Sequence, residues 1–198
     1  MFLRTCRLFL FLTALAIFFL PARAFGQDLF VTSIGTDEIK RYDGVTGVFL
    51  DTFVSAGSGG LGGPTGITFG PNGSLYVTGN TNGAVKHYDG TTGAFLGDVG
   101  SGLSNPGQLK FGPDGNLYIS NRSSIARFDG TTGISLGAIS GGGMNLVLGL
   151  TFAPNGDLLA ASQNPGTIKR YNPTTGVYLG DLVLVHLGGS SPLIVSYS

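Results

Sequence analysis

The chain has 198 residues, 35 glycines, no tryptophan and a formal net charge of zero. The part after residue 24 holds eight basic and eleven acidic residues, which argues against nucleic acid or an anionic membrane as a partner. Abundant glycine beside β-branched and aromatic residues predicts short strands joined by tight turns.

Residues 1–24 predict a secretory signal peptide. Two arginines precede an apolar run of thirteen residues, 8–20, and the small residues Ala22 and Ala24 follow it. Cleavage is predicted after Ala24, with cleavage after Gly26 as the alternative. As a helix, the run rises only about 20 Å, which is short of the roughly 30 Å hydrocarbon core of a membrane. We therefore expect a secreted or periplasmic protein that has no membrane partner after signal cleavage.

The only cysteine, Cys6, lies inside the predicted signal. The mature chain is therefore predicted to have no disulfide and no cysteine-based metal site. An exported domain without disulfides depends on the burial of its core for stability.

Everything from residue 27 onward is composed of repeats of about forty residues. An aromatic residue followed by a turn recurs at spacings of 46, 40 and 43, at Tyr42, Tyr88, Phe128 and Tyr171. A second mark, an aromatic residue before a proline turn, recurs in constant phase at Phe69, Phe111 and Phe152. The repeat boundaries are 27–63, 64–106, 107–147 and 148–190, with a partial fifth repeat at 192–198.

The turn residues predict where the strands begin and end. Pro-Asn-Gly and Pro-Asp-Gly favour tight hairpins, and Asp-Gly-Thr-Thr-Gly favours a longer one. Each complete repeat is therefore predicted to hold four antiparallel strands. The predicted strands are 28–32, 39–42 and 48–53; 66–69, 74–78, 84–88 and 94–99; 108–111, 116–120, 125–128 and 134–139; 149–152, 157–161, 167–171 and 177–185.

The second strand of each repeat is apolar at consecutive positions, as in Leu75-Tyr76-Val77. Strands buried on both faces have this pattern, whereas a sheet with one wet face alternates. Small antiparallel sheets covered on both faces and repeated at about forty residues are typical of β-propeller blades. The predicted fold class is all-β, a β-propeller of four-stranded antiparallel blades with about four repeats.

The two ends of the repeat region are complementary. The first repeat lacks its first strand, while Pro192 precedes Tyr197 by five residues, as Pro64 precedes Phe69. Residues 193–197 are therefore predicted to form a first-type strand. Two alternatives remain open, namely a small closed ring of four blades and a truncated part of a larger propeller.

The repeat pattern carries a family resemblance. The chain resembles the bacterial NHL-repeat propellers, a group that includes streptogramin-lyase-like proteins. The resemblance lies in the pattern L-x-F-G-P-[ND]-G-x-L-Y-[VI]-[ST], followed by [IV]-x-[RH]-[YF]-D-G-x-T-G. The resemblance covers residues 27–198. It implies a propeller fold, and members of the group include scaffolds, ligand binders and a few lyases and lactonases. The residues expected of the lyase-like enzymes have no match at numbered positions here, so the resemblance implies no catalytic residue.

The two histidines and the turn aspartates are predicted to be structural. His87 takes a position that arginine holds in the other repeats, and His186 has no acidic or histidine partner at metal-ligand spacing. Asn172 replaces the turn aspartate in the fourth repeat, which keeps turn propensity and discards the carboxylate. Accordingly, no catalytic residue, metal ligand or cofactor is predicted.

A column of basic residues in the third strands is predicted to form charged edges between blades. Its members are Arg41, Arg127 and Arg170 with the neighbouring Lys40, Lys86 and Lys169.

Strand alternation sorts the loops onto two faces. The uniform turns fall on one face, and the loops that vary between repeats fall on the other, where recognition is normally found. The candidate ligand-binding residues, all on this variable-loop face except one on an innermost strand, are Asp37, Glu38, Asn80, Asn82, Lys110, Arg122, Gln163 and Asn164. The predicted function is a non-catalytic binding or scaffold module for an unknown protein or carbohydrate/small-molecule ligand. The alternatives are a metal-dependent lyase- or lactonase-like enzyme with its site at the central opening, or a truncated fragment of a larger propeller.

Overall fold

The computed structural model describes residues 28–164 and 166–184. In this part of the chain there are fifteen strands and one short 3-10 turn, and no helix is long and apolar enough to span a membrane. The strands are β1 (Leu29–Ser33), β2 (Glu38–Tyr42), β3 (Phe49–Val54), β4 (Pro64–Phe69), β5 (Leu75–Gly79), β6 (Ala84–Tyr88), β7 (Phe95–Gly100), β8 (Pro106–Phe111), β9 (Leu117–Asn121), β10 (Ser124–Phe128), β11 (Ser135–Ile139), β12 (Val147–Phe152), β13 (Leu158–Ser162), β14 (Thr167–Tyr171) and β15 (Tyr178–Leu184), and the 3-10 turn is Ser58–Gly60.

The strands form four antiparallel sheets in chain order. The first sheet has three strands, β1-β2-β3, and the next three are four-stranded meanders, β4 to β7, β8 to β11 and β12 to β15. The predicted all-β fold of four-stranded antiparallel blades is therefore confirmed. The predicted signal peptide, His186 and residues 193–197 lie outside the described residues.

Successive sheets pack through their first strands. β4 packs against both β1 and β8, and β8 packs against both β4 and β12. This arrangement is propeller-like, because each blade of a propeller meets its neighbours beside a common centre. Within the described residues, no comparable packing joins β12 to β1, so these residues alone do not close a ring.

An edge-to-face aromatic pair joins each sheet to the next. One ring comes from the second-type strand of one sheet and the other from the first-type strand of the following sheet, and such pairs contribute about 0.5–1.5 kcal/mol beyond their buried area. The pairs are Phe30 with Phe69, Tyr76 with Phe111 and Tyr118 with Phe152, at centroid distances of 5.0, 5.0 and 5.1 Å. The second aromatic mark of the sequence, at Phe69, Phe111 and Phe152, therefore acts between sheets.

The first-type strands begin earlier than the sequence predicts. β4 and β8 start at Pro64 and Pro106, and β12 starts at Val147, each two residues before the predicted start. Proline is accepted as the first residue of a strand because no ladder hydrogen bond from its nitrogen is needed there. Pro64 pairs with Gly79, and Pro106 pairs with Asn121. The strand register shifts after each of these pairs, and regular antiparallel pairing resumes at Ile67 and Leu109.

One face of the first sheet differs from its counterparts. Leu29 and Val31 are 54% and 39% exposed. The corresponding residues of the later sheets are buried against the preceding sheet, namely Leu75, Val77, Leu117, Ile119, Leu158 and Ala160. Leu29 and Val31 thus occupy positions that pack against a neighbouring sheet elsewhere in the structure. No described residue packs against this face of the first sheet.

Candidate functional site

A cavity of about 610 Å³ lies where the first-type strands begin. Its walls include Thr65 and Gly66 at the start of β4, Gln108 of β8 and Leu148 of β12. These residues are about forty positions apart in the chain and meet because the first-type strands of successive sheets pack side by side. We call this space the central cavity.

Close approach of β4 and β8 shapes one wall of the central cavity. A Cβ atom at Gly66 would lie 2.3 Å from the carbonyl oxygen of Gly107, so only glycine fits there. The fully buried Thr78 hydroxyl accepts a hydrogen bond from the Gly66 N–H (2.7 Å) and donates one to the Gly107 carbonyl (2.7 Å). This hydroxyl therefore ties the second sheet to the third beside the cavity.

The residue that precedes each first-type strand has a left-handed backbone. Gly63, Asn105 and Leu146 occupy this position with φ angles of 57°, 49° and 53°. Glycine and asparagine tolerate this region, whereas leucine is strained in it by roughly 1–2 kcal/mol. Leu146 is nevertheless 37% exposed and lines the central cavity with Asn105. An exposed apolar side chain on a strained backbone is an outlier that points to a role in binding.

Amides and hydroxyls supply the polar groups of the wall. Thr65 Oγ1 donates to the Pro106 carbonyl (2.8 Å), and Gln108 Oε1 accepts from the Leu150 N–H (2.6 Å). Asn80 also lines the cavity, with its amide nitrogen 3.5 Å from the Pro106 carbonyl. Among the described residues of this wall, none has an acidic, basic or imidazole side chain. The surroundings offered to a ligand are therefore neutral, part apolar and part amide.

Asn80 is the predicted candidate that the structure places in the central cavity. Two others support the loops around it, since Asp37 Oδ1 accepts from the Gly63 N–H (2.6 Å) and Asn82 Nδ2 donates to the Gly60 carbonyl (2.5 Å). Glu38 lies farther out, accepting a hydrogen bond from Thr36 Oγ1 at 2.7 Å.

The remaining candidates lie on other parts of the sheets and loops. Lys110 is the penultimate residue of β8, opposite Tyr118, and Arg122 is exposed with a φ of 52°. Gln163 donates its backbone N–H to the Leu146 carbonyl, and the exposed Asn164 donates its own to the Asn145 carbonyl. Thr65, Asn105, Gln108 and Leu146 line the central cavity and were not predicted from the sequence. The available signal for Thr65, Asn105 and Gln108 was the constant spacing of Pro64 and Pro106 before the aromatic mark, and the fourth repeat, with Val147 at that place, gave none for Leu146.

The turn aspartates act as the sequence predicts. Oδ1 of Asp89 accepts hydrogen bonds from two backbone N–H groups and the Thr92 hydroxyl, and Asp129 does the same with Thr132. These bonds lower the pKa of both aspartates. Asn172 Oδ1 caps the fourth turn through two N–H groups. In the described part of the chain, no three histidine, cysteine or acidic side chains are placed to hold a metal ion.

In the basic column, Arg127 contacts the neighbouring sheet through Pro173 and Thr174, whereas two of the lysines are buried within their own sheets rather than at a charged edge. Lys86 and Lys169 are 5% and 3% exposed. Their ammonium groups lie 2.8 Å from Asp98 and 3.0 Å from Asp181, on the neighbouring strand of the same sheet. Burial of lysine is tolerated because each charge is paired.

Comparison with known proteins identifies the fold and no family. No family model matches the chain, and no curated protein matches it. Among solved structures, hydrazine synthase of Kuenenia stuttgartiensis is similar with a TM-score of 0.68 and 17% identity, over 79% of this chain and 46% of that one. The computationally designed Ika8 protein is similar with a TM-score of 0.61 and 20% identity, over 86% of this chain and 50% of that one. This chain thus spans about half the length of each, and the likeness concerns the fold alone.

Proposed function

We propose that the protein is an exported, non-catalytic binding module whose ligand enters the central cavity from the variable-loop face. The resemblance of its repeat pattern to the NHL-repeat, streptogramin-lyase-like propellers supports the proposed role, and the signal-like first 24 residues support a secreted or periplasmic location. The observation that carries the proposal is the central cavity itself, with Leu146 held exposed and strained at its wall.

The size and position of the central cavity fit a ligand site. Its volume of about 610 Å³ falls within the roughly 300–1,000 Å³ typical of small-molecule pockets. It is built on the starts of three strands, and Asn80, Asn105 and Leu146 reach it from the variable loops. A rigid frame with variable loops is the usual setting for recognition.

The side chains that line the central cavity indicate which class of ligand it binds. Thr65, Asn80, Asn105 and Gln108 bring hydroxyl and amide groups, which donate and accept hydrogen bonds without carrying charge. Ile67, Leu146 and Leu148 add apolar surface. An uncharged, polyhydroxylated molecule with apolar ring faces, such as a neutral saccharide, matches both properties. A charged ligand would lose its hydration without gaining an opposite charge.

Titration calorimetry with a panel of neutral mono- and disaccharides and their uronate and amino-sugar analogues tests the proposal. Neutral sugars should bind and the charged analogues should bind at least tenfold more weakly. An ester and lactone turnover assay on the same preparation should give only the background rate. Equal binding of charged analogues, failure of all neutral sugars to bind, or enzymatic turnover would overturn the proposal.

A further inference from the structure

Arg127 shows what fills the groove between two sheets in this fold. It lies on β10, and its Nη1 donates to the carbonyl oxygens of Pro173 (3.0 Å) and Thr174 (3.1 Å), in the turn of the fourth sheet. Its Nη2 donates to the Leu136 carbonyl (3.1 Å) on its own outer strand. Three carbonyl oxygens thus hold one guanidinium group, with donors in a planar fork that suits them.

The corresponding groove between the second and third sheets lacks a guanidinium group. His87 on β6 takes the position of Arg127, and Leu96, Gly130 and Thr131 correspond to the three residues that supply the carbonyls. The imidazole is shorter than an arginine side chain and stacks on Tyr76, with ring centroids 4.6 Å apart and planes at 16°. Its Nε2 is buried and has no hydrogen-bond partner.

A cavity of about 190 Å³ occupies the space that the shorter side chain leaves. His87 lines it together with Leu96, Gly130 and Thr131, so every residue of the arginine-type cradle is present. Asp98 lines it as well, adding a carboxylate that also pairs with Lys86 (2.8 Å). Burial lowers the pKa of His87, which favours the neutral ring, so the imidazole itself adds no positive charge beside a bound cation.

We propose that this groove is a binding site for a guanidinium group, either of a small guanidinium compound or of an arginine side chain on a partner. The carbonyls of Leu96, Gly130 and Thr131 accept from the planar fork, and Asp98, which is shared with Lys86, adds a carboxylate beside it. Ammonium ions fit less well, since a compact charge does not match three separated acceptors in one plane. The site lies between blades and is separate from the central cavity.

Thermal melting in the presence of methylguanidinium chloride tests the proposal, with His87→Arg as the matched variant. At ten times its dissociation constant, methylguanidinium should raise the melting temperature of the wild-type protein by about 3–6 °C. H87R supplies its own guanidinium, so it should melt higher without the ligand and show no rise with it. Urea and N-acetyl-lysine amide serve as controls that lack the planar cation.

If H87R fails to fold, amide chemical shifts of the wild-type protein still test the proposal. Methylguanidinium should shift the Gly130, Thr131 and Gly97 amides of the wild-type protein and leave the Gly66 and Gly107 amides unmoved. N-acetyl-arginine amide distinguishes the two sources: the same shifts with it indicate an arginine side chain of a partner, and their absence indicates a free small cation. No shift with methylguanidinium, or equal shifts with N-acetyl-lysine amide, would overturn the proposal.

Discussion

The hydroxyl of Thr78 donates a hydrogen bond to the carbonyl oxygen of Gly107, 2.7 Å away across the boundary between the second and third sheets. The same hydroxyl accepts from the Gly66 N–H, so one buried side chain satisfies backbone groups of two first-type strands. The wall of the central cavity therefore depends on inter-sheet contacts.

Replacing Thr78 with valine should destabilise the protein by about 1–3 kcal/mol, because it leaves buried backbone groups without their partner. Ser120 is the matched control, since it holds the corresponding position on β9, is fully buried, and has a hydroxyl without a hydrogen-bond partner. S120A should change the free energy of unfolding by less than about 0.5 kcal/mol. Urea denaturation measures both, and equal losses would contradict the assigned role of Thr78.

Replacing Gly66 with alanine should also destabilise the fold. The added Cβ would meet the Gly107 carbonyl at 2.3 Å, and separating the strands should cost about 1–3 kcal/mol. Gly35 has no atom within 4 Å of the corresponding position, so G35A is the control and should be neutral or slightly stabilising. Chemical denaturation of the two variants decides the point, and a stable G66A would show that β4 and β8 are not in such close contact.

Asp129 should be replaceable by asparagine but not by alanine. Asparagine keeps an oxygen that accepts the turn N–H groups, as Asn172 does in the fourth sheet, whereas alanine removes it. Thermal melting should show D129N close to the wild type and D129A lower. If D129N melted as low as D129A, the carboxylate itself would be required and the turn role would be wrong.

Stability should depend on pH through His87. Its pKa is lowered by burial in the folded state, so the unfolded chain takes up the proton more readily. The stabilising contribution is therefore complete above about pH 6.5 and is lost as the pH falls toward the folded-state pKa. Tyr76 stacks on the ring, and Asp98 lines the same groove.

The variant His87→Gln isolates this effect. Urea midpoints measured between about pH 7 and 5.5 should fall for the wild type and remain flatter for H87Q. Parallel curves for the two proteins would mean that His87 is solvated in the folded state.

Replacing Leu146 with glycine should raise the stability of the protein and weaken its binding of sugar. L146G relieves the strained left-handed backbone and should stabilise the protein by about 0.5–1 kcal/mol, the gain being reduced by the flexibility of glycine in the unfolded chain. The same change removes an apolar side chain from the central cavity and should weaken sugar binding. N105G is the control for stability alone, because asparagine already tolerates its φ of 49°. Chemical denaturation should show a gain for L146G and none for N105G, and calorimetric titration should show weaker sugar binding by L146G than by the wild type. Unchanged sugar binding by L146G would remove Leu146 from the site.

The local structure could be predicted from sequence because the turns carry their own chemistry. The Asp and Asn residues of the four aromatic turns, and the proline turns, define hairpins within a few residues, and the strand order of each sheet follows. The extra two residues at the start of β4 and β8 were not predicted, because a proline that follows a loop looks like part of that loop.

The central cavity could not be predicted in the same way. Thr65, Gln108 and Leu148 come from three repeats, and their meeting depends on how whole sheets pack. The burial of Lys86 was not predicted for a related reason. A lysine in a strand is expected to face solvent, and only the structure shows that Asp98 on the next strand pairs with it. Sequence variation in loops also favoured Arg122 and Asn164, which are exposed but do not line the cavity.

Amide chemical-shift mapping of the ¹⁵N-labelled protein with the panel of neutral saccharides is the most direct test of the central claim, that the ligand binds in the central cavity. The largest shifts should fall on Gly66, Ile67, Gly107, Gln108 and Leu148, and they should weaken in L146G. Shifts confined to other loops, or no shifts with any neutral sugar, would contradict the account.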